Sequence, residues 1–388
     1  MQRSFVELNG ASDVFVYLLT APVGFAIIKA YVPGEKPRAF SQARRRAMIS
    51  FTCDYLEGCH PSILKRLNDV NLTQHVGYGM DEECEGAAAK LRQAFSCGDA
   101  AVHFLTGGTQ ANTTVIAAAL RPYEGVYCAD TGHINTHETG AVESSGHKCL
   151  VLPSRDGIIT ASQVSVAAAL QADDEHTVKP GMVYISMSTE LGTVYNLAQL
   201  KDLYYTCRQH GLYLFIDGAR LGYALASPIG DVSPEDIARY SDVFTVGGTK
   251  MGALFGEAVV ITNPELKPRF RYVMKQRGGM LAKGWLLGVQ FNALVEGGLY
   301  FELGRKAVAQ AMRIRTALME KGLPLYADSS TNQLFPILTD DQLEALEEDF
   351  TLSVWDRVDE ASAAVRICTS WATPDEHVDR FIEAIRKL

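Results

Sequence analysis

Two apolar runs, each ending in a polar cluster, constrain this chain more than any other feature. Leu212 to Ile216 is short, aromatic and β-branched, and it stops at Asp217-Gly218-Ala219-Arg220. Val243 to Val246 stops at Gly247-Gly248-Thr249-Lys250. Short continuous apolar runs suit strands buried on both faces of a parallel sheet. In open α/β sheets ligands bind beyond the carboxyl ends of the strands. One strand end then delivers a carboxylate and a guanidinium, and its neighbour delivers an amine.

Each of these residues has an ordinary alternative role: Asp217 as a turn cap, Arg220 as a solvated helix residue, Lys250 as a surface lysine. As an ordered set they meet the demands of pyridoxal phosphate. A lysine amine forms a Schiff base with its aldehyde, and a carboxylate keeps its pyridine nitrogen protonated so that the ring accepts electrons.

Elsewhere the chain offers complementary pieces. Ala101 to Leu105 reads as a strand, followed by Thr106-Gly107-Gly108-Thr109-Gln110-Ala111-Asn112 and an Ala-rich helix reaching Leu120. Glycines after a strand let backbone amides face an anion at a helix N-terminus, so Gly108 and Thr109 are candidate phosphate contacts; a plain packing turn is the alternative. The spacing fits neither the P-loop nor the dinucleotide fingerprint. Val126 to Ala129 is a further strand, ending at Asp130-Thr131-Gly132-His133. His133 and His137 with Glu138 also admit a zinc reading, although the order is not H-E-x-x-H and no third ligand follows. Met182 to Ser188 is a strand leading to Glu190, and Gly256 to Thr262 is an antiparallel one. Beyond Ala293 the pattern turns to long helices, then strands at Gln333 to Leu338 and Ala363 to Thr369, then a helix after Thr373-Pro374. Arg366 lies in the second of these strands, where an unpaired charge would be costly.

Composition restricts the class of protein. The 388 residues are 47% hydrophobic and 21% charged, enough for a large core and a second domain. A net charge of -9 with no basic stripe outside one short N-terminal run argues against nucleic acid or an anionic membrane as partner. Eight scattered cysteines without a CxxC pair suit free thiols in a reducing, cytoplasmic setting. Residues 1–47 read differently from the rest. Val14 to Ile28 is apolar but short for a membrane span, and Glu7 and Asp13 before it do not suit a signal peptide. An extension outside the fold, with the fold starting near Met48, is the expectation.

The DGARL and GGTK segments resemble the threonine aldolase and β-eliminating lyase family, within the aspartate aminotransferase fold (fold type I) of pyridoxal phosphate enzymes. The resemblance covers about Met48 to the C-terminus. It implies an α/β large domain with a mostly parallel seven-stranded sheet over residues 76–290 and an α+β small domain over 291–388, with residues 48–75 as an arm joining the small domain. It implies pyridoxal phosphate held by Gly108, Thr109, His133, Asp217, Arg220, Thr249 and Lys250. His133 would lie flat on the ring, Lys250 would carry the Schiff base, and Arg366, with Arg220 and Cys53, would bind the substrate α-carboxylate.

The implied reaction is cleavage of a β-hydroxy-α-amino acid, threonine giving glycine and acetaldehyde. Other β-eliminations, and more remotely amino-group transfer, use nearly the same site. The chain departs from the family twice. Many threonine aldolases carry a histidine, assigned to proton handling on the substrate hydroxyl, where Glu190 stands, and a serine where Cys53 stands. The resemblance also implies a homodimer or homotetramer with active sites at the subunit interface. The GYG segment at Gly77 to Gly79 would lie near the cofactor, and Lys275, Arg277 or Lys283 would lend a cation to the partner's phosphate; a solvated basic loop is the alternative for that last stretch.

Overall fold

The computed structural model describes residues 48–171 and 174–388, so the expectation for the N-terminal extension lies outside the described residues. Seven strands form the main sheet: β1 (Ala101–Leu105), β2 (Glu124–Ala129), β3 (Cys149–Leu152), β4 (Lys179–Ser186), β5 (Tyr213–Asp217), β6 (Val243–Gly247) and β7 (Glu257–Ile261). Their order across the sheet is β1-β7-β6-β5-β4-β2-β3. β7 runs antiparallel to both neighbours, and β6, β5, β4, β2 and β3 are mutually parallel.

The unbroken hydrophobicity of these strands has a direct structural cause. Successive residues point to opposite faces, and both faces are covered. Leu214, Ile216, Phe244 and Val246 join one core, whereas Phe215, Val243, Val259 and Ile261 join the other. Helices between the strands begin where the sequence supplies caps. Asp81 Oδ1 accepts from Cys84 N at 2.9 Å and opens Glu82–Ala94, whose first turn is acidic, as the helix dipole favours. Asn196 forms a capping box with Gln199 ahead of Leu197–His210.

The C-terminal part has its own core. Ser362–Cys368 is its central strand, flanked by Ile337–Thr339 and Ser353–Arg357, with Gln333–Leu334 paired to its far end, all antiparallel. The single strand expected over Gln333 to Leu338 is therefore two short ones, interrupted at Phe335 and Pro336; proline has no N–H to give to a ladder. Ile49–Ser50 runs parallel to Phe350–Thr351. Phe51 follows, fully buried, its ring 4.8 Å from Phe381 and 6.2 Å from Phe350. Its carbonyl accepts from Cys368 N at 2.8 Å. The basic stretch with a loop reading is in fact helical over Phe270–Gln276. Among the described residues no helix is long and apolar enough to cross a membrane.

Phe51 secures the segment that leads to Thr52 and Asp54. Phe51→Ala is expected to cost about 3–5 kcal/mol through lost burial and an unfilled cavity. Urea unfolding would show this as a lower midpoint with an unchanged slope.

Candidate active site

A cleft of about 420 Å³ opens at the carboxyl ends of β4, β5 and β6. The expected residues Gly108, Thr109, His133, Glu190, Asp217, Arg220, Thr249, Lys250 and Arg366 all line it. Cys53 is half-buried and is not part of the lining; its neighbour two residues on, Tyr55, is.

Asp217 ends β5 and is buried. Register places Ser186 opposite it and Tyr184 two residues back on the same face of β4. Tyr184 donates its hydroxyl to Asp217 Oδ2 at 2.6 Å, Asn112 Nδ2 donates to the same oxygen at 3.0 Å, and Ala219 N donates to Oδ1 at 2.9 Å. Burial works against the anion, but the charge of His133 and these donors outweigh it and hold the carboxyl below its usual range. Asp217 is thus an anion fixed in place, able to face a cationic ring nitrogen.

His133 follows β2 at the start of a short helical turn. Its Nδ1 lies 2.7 Å from Glu138 Oε1, an oxygen that also accepts from Asn112 Nδ2 at 2.7 Å. Burial would lower the imidazole's pKa; the Glu138 hydrogen bond and the Asp217 charge together raise it. His137 stacks on His133 with ring centroids 5.5 Å apart. Glu190 Oε1 accepts from His133 N at 3.0 Å and from Ser186 Oγ at 2.6 Å. Burial raises its pKa against the Ser186 hydroxyl and its own backbone N–H, so Glu190 is a carboxyl poised nearer neutrality than a surface glutamate.

Lys250 follows β6, and among the described residues its Nζ has no hydrogen bond or ion pair. Burial first, then the Arg220 charge, lowers its pKa and favours the free amine. Arg220 is committed elsewhere. Its Nε and one terminal nitrogen donate to the two oxygens of Asp54 at 2.7 and 2.9 Å, and Asn332 Nδ2 adds a third bond to Asp54 at 3.0 Å. Burial opposes the Asp54 anion, but Arg220 and then Lys250 hold its pKa low.

The phosphate-like seat is open. A Cβ built on Gly107 or Gly108 would meet nothing within 4 Å, and the helix Gly108–Ala119 begins there with unpaired N–H groups facing the cleft end. Arg366 comes from the second domain's central strand. One terminal nitrogen donates to Thr52 O at 2.8 Å, its guanidinium lies 5.7 Å over the Trp355 ring, and Nε is buried without a partner. Stacking and one anchoring bond fix the plane of a fork with donors to spare.

Sequence reasoning passed over Tyr184, Ser186, Trp355, Asn332 and Glu257. Tyr184, Ser186 and Glu257 lie in strands that read as apolar core. Trp355 and Asn332 reach the site only through the second domain.

The fold and this cleft define a class: the fold type I, aminotransferase-like architecture of pyridoxal phosphate enzymes. Aspartate aminotransferase from Thermus thermophilus superposes with a TM-score of 0.66 at 16% identity over 89% of this chain and 93% of that one, which shows the fold alone. The family model for β-eliminating lyases matches residues 58–341. The low specificity L-threonine aldolase of Pseudomonas aeruginosa is 31% identical over 87% of this chain and 96% of its own length. The enzyme of that name from another Pseudomonas is 30% identical over 87% and 97%. A structure of Leishmania major threonine aldolase superposes with a TM-score of 0.86 at 44% identity, covering 87% of this chain and 99% of that one. The chain belongs to the β-eliminating lyase family, on its threonine aldolase branch.

The buried ion pair generates a prediction. Asp54→Asn leaves Arg220 buried without a counter-charge and is expected to cost about 3–5 kcal/mol. A carboxyl held low in the native state binds more protons when unfolded. Its stabilisation is therefore present above the unfolded pKa near about 4 and is lost as pH falls through the lower native value. Stability measured against pH should fall more steeply on the acid side in the wild type than in the variant.

Proposed function

We propose that this protein is a pyridoxal phosphate-dependent aldolase that cleaves the Cα–Cβ bond of β-hydroxy-α-amino acids, threonine giving glycine and acetaldehyde. The observation that carries the reading is a single cleft lined by a lysine amine without a hydrogen bond or ion pair and by an aspartate with three donors. The open glycine turn is a cradle that any side chain would fill, so the residues present fit the cofactor.

Gly107, Gly108, Thr109 and Thr249 would hold the phosphate, His133 the ring face, Asp217 the ring nitrogen and Lys250 the aldehyde carbon. Bound there, pyridoxal phosphate supplies a sink for the electron pair left on Cα. The chain's own residues do the rest. Asp217 holds a proton at the ring nitrogen, because its charge is fixed by Tyr184, Asn112 and the Ala219 amide. Arg366 receives the substrate α-carboxylate with its free donors. Arg220 contributes its charge while bound to Asp54, so its role is to lower the proton affinity of Lys250. Glu190 takes the proton of the β-hydroxyl at its carboxylate; its raised pKa gives it the basicity that an ordinary glutamate lacks. Glu138 keeps the His133 ring oriented. Cys53 lies outside the lining, so a role in carboxylate binding would have to run through the neighbouring backbone, where Thr52 O already anchors Arg366.

The active assembly in this reading is a homodimer or homotetramer. Leu72, Val76, Tyr78, Met80 and Tyr272 are exposed apolar residues, and Lys275 lies 4.7 Å over the Tyr78 ring. Exposed apolar side chains of this kind are suited to burial against a second copy.

Lys250→Ala is expected to abolish the visible absorbance of the reconstituted protein, and a wild-type protein that stays colourless with added pyridoxal phosphate would defeat the reading. Glu190→Gln should lower kcat for threonine and phenylserine by about 10²–10⁴-fold, the usual worth of a general base, with cofactor absorbance retained. Glycine and aldehyde are the expected products; pyruvate as the only product, from serine or cysteine, would replace aldol cleavage by β-elimination. Arg366→Lys loses planar bidentate geometry, so KM for the amino acid should rise more than kcat falls.

A further inference from the structure

One buried acid in the cleft has no task in the mechanism above. Glu257 is the first residue of β7, 3% exposed, and it lines the same cleft as Lys250 and Asp217. Its Oε2 is enclosed and has no hydrogen-bond partner, although buried polar groups in folded proteins almost always find one. The strand residues that follow it, Ala258 to Ile261, are all apolar.

The backbone locks this carboxyl to the lysine turn. Gly256 O accepts from Gly248 N at 2.9 Å and from Thr249 N at 3.2 Å, and Gly256 N donates to Thr249 Oγ1 at 3.0 Å. Register sets Glu257 opposite Gly247. The peptide before Glu257 and the turn before Lys250 are therefore one rigid unit. The ionisable groups facing Glu257 are Asp217 from β5, Lys250 from the turn after β6, and Tyr300 from the helix Leu299–Glu320. Tyr300 accepts from Gly222 N at 3.1 Å and Asp217 has three donors, and neither residue bonds Glu257 Oε2. Among the ionisable groups that face Glu257, that leaves it and Lys250 in one cleft without hydrogen bonds, and no ion pair joins them. Burial first, then the charge of Asp217, disfavours a carboxylate at Glu257, while Lys250 alone opposes them.

We propose that Glu257 is the proton store of Lys250: it takes the proton of Nζ when the amine must be free and returns it when the nitrogen must be charged. The transfer breaks one N–H bond and forms one O–H bond. Ammonium and carboxylate become amine and carboxylic acid, so the two opposite charges of this pair are cancelled together. Each time a lysine bonds to an aldehyde carbon or is displaced from one, its nitrogen loses or regains a proton. Glu257 spares Lys250 an exchange with bulk water. The proposal rests on the cofactor reading of Lys250.

The test follows uptake of pyridoxal phosphate by the apoprotein as the rise of visible absorbance, together with infrared spectra of the apoprotein. Glu257→Gln, nearly isosteric, is expected to reach the same final absorbance about 10²-fold more slowly, the lower end of general acid–base effects. Glu257→Asp should recover part of the rate. The wild-type rate should fall on the alkaline side as Glu257 loses its proton, and that limb should be absent from the Gln variant. At neutral pH the wild-type apoprotein should show the carbonyl band of a protonated carboxyl, shifted in Glu257→Asp and missing in Glu257→Gln. A Gln variant with wild-type rate and pH profile overturns the proposal, as does absence of the carbonyl band. If the Gln variant does not fold, the band in the wild type and its shift in the Asp variant decide alone. A wild type that takes up no cofactor overturns the reading of Lys250 itself, and the proposal with it.

Discussion

Everything in the cleft depends on keeping Asp217 ionised where water is scarce. An isolated carboxylate in such a place would protonate, because desolvation penalises the charge more than any single neighbour rewards it. The charge of His133 and three donors from three different parts of the chain prevent that. Tyr184 comes from the neighbouring strand, Asn112 from the helix behind the glycine turn, and the Ala219 amide from the turn after Asp217 itself. Asn112 is shared with Glu138, which in turn orients His133. One network therefore sets the charge at the end of β5 and the plane of the histidine across from it. Because Asn112 bonds both carboxylates, the pieces are interdependent rather than additive.

A second dependence links this network to the other domain. The chain from Ile49 to Asp54 enters through a two-residue strand beside Phe350–Thr351, buries Phe51 in the second core, gives Thr52 O to Arg366 and gives the Asp54 carboxylate to Arg220. Arg366 sits on a strand of the second domain, and Arg220 follows β5 of the main sheet. A few residues thus hold both guanidinium groups in position. The buried Asp54–Arg220 pair buys little net stability, since desolvating two charges costs nearly what their attraction returns. Its effect is positional and electrostatic: it anchors a cation near Lys250.

How much of this was legible in the sequence follows from what each residue type signals. Strands buried on both faces leave apolar runs, and runs ending in Asp217 and Lys250 announce the sheet edge that carries them. The glycine turn at Gly107-Gly108 was legible for the same reason: glycines after a strand have few other uses. Strand ends were less so, since hydrophobicity continues past the last ladder bond; β4 stops at Ser186 rather than Ser188. The helix Phe270–Gln276 was hidden by its dense cations, which read as a solvated loop. Asn332 and Trp355 could not be tied to the site from sequence, because their contacts with Asp54 and Arg366 span a wide sequence separation or depend on side-chain stacking. Glu257 was masked by its own strand, since one acid at the head of EAVVI looks like a solvent-facing strand end until β1 and β6 close on both sides of it.

The division of labour in the cleft follows from where the pieces are rooted. Asp217, Lys250 and Glu257 belong to strands or strand ends of the main sheet, whose twin cores leave them little freedom. They set where electrons and the lysine proton can go, and this arrangement serves any reaction that puts a negative charge on Cα. Glu190 stands on the loop after β4, tied through one oxygen to Ser186 and the His133 amide, and Arg366 reaches in from the second domain. Which bond of the substrate is broken depends on which bond is turned perpendicular to the ring and which proton is taken. Those choices belong to the carboxylate fork and to the Glu190 carboxyl, so a change of reaction within this family requires altering the loop and the second domain and leaves the sheet as it is.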